Sequence, residues 1–253
     1  YANGTIGGII NVVDDCVAPN DFDKPEFLVA LENQSVNDGD TKAVNYKNNI
    51  NGFNVNVGYK ESKFGNYEVP NGAVIHEEEG DDDHDENMGY LENSDYAIEA
   101  TKFGISKVGD WGYSGFSIDS LQSIYGIPFH GEEHDDHPVD PDAVPEEHEE
   151  ERIFSTTDSE SFTIKGLYNV NGNFVNSIAY TFRDSDYSLT EAHEEEEGHD
   201  DHIGEEPHDE HAPTVFSNNA TEYGTIFDIS NDNMTQKVVF NFVDEDSSIV
   251  GEE

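Results

Sequence analysis

Cysteine, basic residues and long apolar runs are all scarce in this sequence. Its 253 residues include one cysteine, Cys16, so the chain has no intrachain disulfide and no thiolate metal cluster. No apolar run approaches the ~18 residues of a transmembrane helix, which excludes that element but not a membrane location. Lysine and arginine number 11 against 57 acidic residues, for a formal charge of −46. Nucleic acid and anionic lipid headgroups are therefore poor partners, whereas divalent cations are good ones.

Histidine is confined to three segments that are also strongly acidic. They are residues 76–86, 130–151 and 193–211, and together they hold all eleven histidines and 29 of the 57 acidic residues. A stretch with this charge density cannot form a hydrophobic core. We therefore expect the three segments to be connections on the surface, with a chemistry of their own.

Between these segments, apolar and polar residues alternate with a period of two, as in strands with two different faces. In Phe53–Tyr59 (FNVNVGY) every second residue is apolar. The pattern predicts an antiparallel all-β protein with about nine strands, near 26–35, 41–50, 53–64, 94–108, 112–125, 159–169, 174–189, 219–230 and 235–245. Between Ile98 and Phe103 the alternation changes phase, which indicates a β-bulge.

Long and short connections alternate along the predicted meander. The tight turns are Asn51–Gly52, 109–112, 169–172 and 230–233, and the long connections are expected at 65–93, 126–158 and 190–218. A β-barrel that spans a membrane has this asymmetry, with short turns on one side and long loops on the other. The alternative from pattern alone is a soluble β-sandwich with acidic insertions.

The three histidine segments have the composition of a transition-metal site. Imidazole with carboxylate and without thiolate suits Zn²⁺, Ni²⁺, Co²⁺ or Cu²⁺, whereas Ca²⁺ and Mg²⁺ prefer oxygen alone. An H-x-x-H form with acids between occurs three times, and such pairs can converge on one ion. The predicted ligands are His130, His134, His137, His148, His193, His199, His202, His208, His211, Asp135, Asp136, Asp200 and Asp201, followed by His76 and His84 on the segment with the fewest histidines.

Hydrolytic chemistry has little support, because no segment contains H-E-x-x-H and no Ser/His/Asp set falls on the predicted strands. We expect no enzymatic activity. The alternative to metal capture is that the segments are solvated loops whose charge only keeps their surroundings hydrated.

Residues 1–15, YANGTIGGIINVVDD, resemble the closing strand of the plug domain in TonB-dependent outer-membrane receptors. The matching residues are Gly4, Ile6, Gly7, Gly8, Ile9, Ile10, Asn11 and Val12, and Ala2 replaces a frequent glycine. Within that family the chain is most similar to zinc-uptake receptors of the ZnuD type, whose extracellular loops are rich in His, Asp and Glu. The stretches SIYGIPFHGEEHDDH (123–137), IAYTFRDSDYSL (178–189) and SSIVGEE (247–253) also carry the likeness.

The resemblance implies the end of a plug domain at 1–20 and the first part of an outer-membrane barrel at 21–253, as an internal fragment of a longer protein. It implies TonB-dependent import of zinc or a related divalent metal across the outer membrane of a Gram-negative bacterium, with the TonB complex and outer-membrane lipid as partners. One rival keeps the receptor but exchanges its cargo for a siderophore, haem or another chelate. The other is an acidic, cation-binding surface β-protein.

Overall fold

The computed structural model describes residues 16–70, 89–128, 152–194, 212–230 and 233–251, which form an all-β fold. The strands are β1 (Glu26–Gln34), β2 (Gly39–Ile50), β3 (Phe53–Phe64), β4 (Tyr67–Glu68), β5 (Tyr90–Leu91), β6 (Tyr96–Gly109), β7 (Gly112–Gly126), β8 (Arg152–Asn169), β9 (Ser177–Glu194), β10 (Thr214–Asp228) and β11 (Lys237–Val250). Within the described ranges, no helix is long and apolar enough to cross a membrane. Alternating side chains explain why these segments become strands rather than helices.

Nine of the strands form one antiparallel sheet in the order β1-β2-β3-β6-β7-β8-β9-β10-β11, which is a meander. The short strands β4 and β5 form a separate pair within the connection from β3 to β6. The predicted class and the count of about nine strands in the sheet are thus confirmed. Asn51 and Gly52 have φ of 53° and 80°, the left-handed conformation that a two-residue hairpin turn requires.

Several predicted strand ends were wrong, because four strands extend five or more residues further than the alternation indicated. β8 begins at Arg152, β9 ends at Glu194, β10 begins at Thr214 and β11 continues to Val250. The added residues are rich in Ser, Thr, Asp and Glu, and they pair with neighbouring strands in unbroken register. Parts of the predicted connections 126–158 and 190–218 are therefore strand.

The predicted bulge in β6 was also wrong. The register of β6 with β3 and with β7 is continuous from end to end. The phase change has another cause: Tyr96 and Ile98 are apolar residues of one face, whereas Phe103 and Ile105 are apolar residues of the other.

The two faces of the sheet differ in chemistry. We call the face with Phe103 the outer face and the face with Gly104 the inner face. A row of aromatic rings crosses six strands on the outer face, with successive centroids 5.0–6.4 Å apart: Phe103, Phe116, Phe162, Phe182, Tyr223 and Phe242. Four of these side chains are at least 36% exposed, so the sheet turns aromatic surface outward.

The inner face is polar where the outer face is apolar. Asn54, Asn56, Ser106 and Ser117 are buried there. Five basic residues also belong to this face in the middle of the sheet: Lys47, Lys60, Lys102, Lys165 and Arg183. A water-soluble sheet with one covered face has the opposite arrangement, with apolar residues covered and polar ones exposed.

The segment 16–22, which we call the strap, lies across the inner face. Cys16, Val17 and Ala18 are the buried hydrophobic residues of the described chain. The Ser106 hydroxyl donates to the Ala18 carbonyl oxygen at 2.8 Å. A Cβ on Gly104 would lie 2.0 Å from the Cys16 carbonyl oxygen, so only glycine permits this approach.

The amide of Asn54 holds the other end of the strap. Its Oδ1 accepts from the Phe22 N–H at 2.9 Å, and its Nδ2 donates to the Asn20 carbonyl oxygen at 3.1 Å. Asn49 adds a hydrogen bond to the Asp21 carboxylate at 2.9 Å. Polar inner-face side chains therefore fix a backbone that pairs with no strand among the described residues.

Candidate functional site

The strand order places the three long connections at one end of the sheet. They leave β3, β7 and β9 and return to β6, β8 and β10, and in a meander these strand ends lie at the same side. We call this side the loop end. The opposite side, the turn end, has the four short connections at 51–52, 110–111, 170–176 and 229–236. The predicted alternation of short turns and long connections is thus confirmed for the strand ends.

Fourteen of the fifteen predicted metal ligands lie outside the described residues, and their role stays a prediction: His76, His84, His130, His134, His137, His148, His199, His202, His208, His211, Asp135, Asp136, Asp200 and Asp201. The exception is His193, which is exposed on the inner face of β9 opposite Ile153. In the described part of the chain, no three His, Cys, Asp or Glu side chains are grouped so that they could hold a metal ion.

The stems of the first and second connections are joined at the loop end. Arg152 Nη2 lies 2.5 Å from Asp95 Oδ2, and the Gly126 N–H donates to the Asp95 carbonyl oxygen at 2.9 Å. The Arg152 guanidinium also lies 5.4 Å from the centroid of the Phe154 ring. Both charges are about one-third exposed, and the guanidinium offsets the charge of one carboxylate at the stems of the two connections.

The first connection is also fixed to the turn between β1 and β2. The Gly65 N–H donates to the Asn37 carbonyl oxygen and the Glu68 N–H to the Val36 carbonyl oxygen, both at 2.7 Å. The Asn37 side chain is 2% exposed, and its amide has no hydrogen-bond partner within the described chain. These hydrogen bonds anchor the stem of the connection to the turn between β1 and β2.

Toward the loop end, the outer face changes from apolar to acidic. Asp158, Glu160, Asp184, Asp186, Asp244 and Asp246 belong to this part of the outer face. Glu61 lies here beyond the apolar residues of β3, with Lys63 Nζ 2.8 Å from its Oε1. The hydrogen bond from Lys63 lowers the pKa of Glu61 below its usual value. The acidic surface therefore extends beyond the three histidine segments onto the strands.

No protein-family model matches the sequence, and no curated protein matches it. The resemblance to TonB-dependent receptors therefore remains a hypothesis that rests on the quoted motifs. Residues 1–15, which carry its first motif, lie outside the described residues.

Reasoning from sequence missed the strap contacts and the Arg152–Asp95 pair. Gly104 and Ser106 read as ordinary small residues of an alternating strand, because their partners are more than 80 residues away. The one available signal was Gly104 within the strand, since a glycine there marks a close backbone approach.

Proposed function

We propose that the protein is part of a transmembrane β-barrel of the outer membrane that captures zinc or a related divalent transition metal at the loop end and imports it with energy delivered by TonB. The observation that carries this proposal is the convergence of all three histidine-rich connections on one end of a sheet whose outer face is apolar. The proposed activity is transport, and the protein catalyses no chemical reaction.

The polarity of the two faces supports a sheet whose outer face lies in lipid. On β3 the outer face is apolar from Phe53 to Tyr59, a length of about 20 Å, close to the ~25 Å apolar band of outer-membrane barrels. Val57 and Ile118 are 42% and 50% exposed on this face. Exposed apolar surface of this extent in a soluble protein would promote aggregation, whereas lipid removes it from water. Lys107, the charged residue of this region, lies near the turn end with its Nζ 4.9 Å from the Phe53 ring centroid.

The border of the apolar region supports tilted strands. On β1 the last apolar residue of the outer face toward the loop end is Leu31, and the strand register leads from Leu31 to Ser248 on β11. On β11 the border lies instead at Phe242, six residues nearer the turn end. A shift of six residues over eight strand spacings corresponds to a tilt of roughly 25–30°. Strands in membrane barrels are tilted by about 35–45°, and untilted strands would show no shift.

The sheet edges support completion by further strands. Among the described residues, the outward edges of β1 and β11 pair with no strand, and neither strand contains proline or glycine that would protect an edge. Because the nine strands alternate in direction, β1 and β11 run parallel to each other. An antiparallel barrel therefore needs an odd number of additional strands between them.

The metal chemistry comes from the sequence of the connections. Their carboxylates raise the local cation concentration, and their imidazoles favour borderline metals over Ca²⁺. Several weak sites close together retain an ion better than one site does. Arg152 and Asp95 contribute by holding the stems of two connections side by side.

Uptake of radioactive zinc by intact cells tests the function. We expect cells that express the protein to accumulate zinc faster than cells in which its gene is deleted, and the advantage to disappear when the proton gradient is collapsed. Iron supplied as haem or as a siderophore complex is the comparison. Energy-dependent uptake of a chelate with unchanged zinc uptake would contradict the proposal and favour the receptor with another cargo.

A further inference from the structure

A row of oxygen-bearing side chains crosses the inner face near the loop end. The register places Tyr96, Tyr125, Ser155, Glu191 and Thr214 side by side on β6, β7, β8, β9 and β10. Residues directly opposite each other share a face, with Cβ atoms about 4.5–5.5 Å apart. The single carboxylate of this row, Glu191, therefore has hydroxyl-bearing neighbours on both sides.

His193 follows Glu191 on the same face of β9. Residues two apart on a strand point the same way and are separated by roughly 6.5–7 Å, so an imidazole and a carboxylate in this arrangement can reach one ion between them. Both side chains are exposed and face the space above the sheet. Imidazole plus carboxylate is a donor pair for Zn²⁺, Co²⁺ or Cu²⁺.

Ser155 is an independent sign of a ligand at this place. The residue is 1% exposed, it is directly opposite Glu191 in the register, and its Oγ has no hydrogen-bond partner among the described residues. A buried hydroxyl without a partner is costly, and native proteins rarely keep one without a reason. A metal-bound water that donates to this Oγ would satisfy it.

We propose that Glu191 and His193, with the Ser155 hydroxyl beside them, form a site for one divalent transition-metal ion on the inner face near the loop end. This inference rests on the proposed function and adds a step to it: the ion passes from the connections to the inner face. Two protein ligands leave the remaining coordination positions open, so the ion stays exchangeable and can move on.

Electron paramagnetic resonance of Cu²⁺ bound to the full chain tests the site. The background variant has asparagine in place of the ten other histidines, so that His193 is the remaining imidazole. We expect one bound Cu²⁺ whose spectrum shows splitting from a single imidazole nitrogen. Replacement of His193 by asparagine removes the splitting, and Glu191→Gln raises the Kd at least about tenfold. Ser155→Ala raises it by a smaller factor.

Asp186→Asn is the matched control, because it removes one negative charge from the outer face of the same strand. We expect it to leave the Cu²⁺ spectrum and the Kd unchanged. Equal effects of Glu191→Gln and Asp186→Asn would overturn the proposal. If the background variant binds no Cu²⁺ through nitrogen while the unmodified chain still does, the Glu191–His193 site on the inner face is refuted. Metal capture by the histidines of the connections is then unaffected. Failure of the unmodified chain to bind Cu²⁺ through nitrogen contradicts both.

Discussion

Arginine at Tyr223 should destabilise the protein more than alanine at the same position. Tyr223 lies within the apolar part of the outer face, is 51% exposed, and has ring centroids 5.0 Å from Phe182 and 6.2 Å from Phe242. Ser217 is on the same face of the same strand, six residues toward the loop end, and therefore about 20 Å away along β10. It serves as the matched site outside the apolar region.

The expected magnitudes follow from these contacts. Either substitution at Tyr223 loses two aromatic pairs, each worth about 0.5–1.5 kcal/mol. Arginine additionally places a charge at the loop-end border of the apolar region, because Tyr223 pairs with Phe242 at that border. The cost of such a charge is about 2–4 kcal/mol at the middle of the lipid layer and about 0–1 kcal/mol near the interface, so we expect about 1–2 kcal/mol here. The difference between arginine and alanine should therefore be about 1–2 kcal/mol at Tyr223 and below about 0.5 kcal/mol at Ser217, which lies beyond the border.

Guanidinium unfolding in phosphatidylcholine vesicles measures this difference. Trp111 is the only tryptophan and lies in the turn between β6 and β7, so its fluorescence reports the transition. Free energies follow from linear extrapolation. At an exposed site in water, arginine and alanine differ by only about 0.5 kcal/mol. A difference this small at Tyr223 would refute the assignment of the outer face to lipid.

Three further changes test other parts of the structure. Gly104→Val should displace the strap and make Cys16, which is 2% exposed, react with a thiol reagent at least about tenfold faster. Gly58→Ala should not, since its Cβ would meet only the side chains of Lys102 and Asn45 and no backbone atom of the strap. An unreactive Cys16 in Gly104→Val would contradict the steric argument. Zinc affinity should fall as the pH drops from 7.5 to 5.5, because histidine protonates near pH 6.5 and protonated imidazole cannot bind a metal. Calorimetric titration at the two pH values measures this change, and equal affinities would exclude histidine ligation. Arg152→Gln should lower stability by roughly 0.5–1 kcal/mol in the same unfolding assay, because the partly exposed Asp95 loses its ion-pair partner. An unchanged stability would contradict a structural role for the pair.

Much of the fold could be predicted because strand residues alternate with a period of two. Phe53–Tyr59 alternates cleanly, and the prediction for β3 agrees with the structure at both ends. The alternation fails at the starts of β8 and β10, where adjacent apolar residues lie on opposite faces (Ile153 and Phe154, Val215 and Phe216) and polar residues follow on both faces, so pattern alone could not find those ends. In β6 the apolar residues change from the inner face to the outer face where the oblique border of the apolar region crosses the strand. The alternation of this strand alone therefore predicts a bulge that the structure does not have.

Less of the candidate site could be predicted. Confinement of histidine to three segments is a property of composition, and the alternation of connection lengths suffices to assign those segments to one end of a meander. The position of Ser155 opposite Glu191 depends on the register of β8 and β9, and the strap depends on contacts between residues about 90 positions apart. Neither relation leaves a periodic signal in the sequence, because each is set by tertiary pairing.

The most direct test of metal capture by the connections is calorimetric titration of Zn²⁺, with Ca²⁺ in parallel, into the protein and into the variant that has asparagine at the ten histidines outside β9. We expect tight zinc binding to the protein, a large loss of zinc affinity in the variant, and the same weak calcium binding in both. Because the variant keeps Glu191 and His193, we expect any remaining zinc binding in it to be weaker than in the protein. Zinc affinity in the variant equal to that of the protein, or calcium that binds as tightly as zinc, would contradict metal capture by the histidines of the connections.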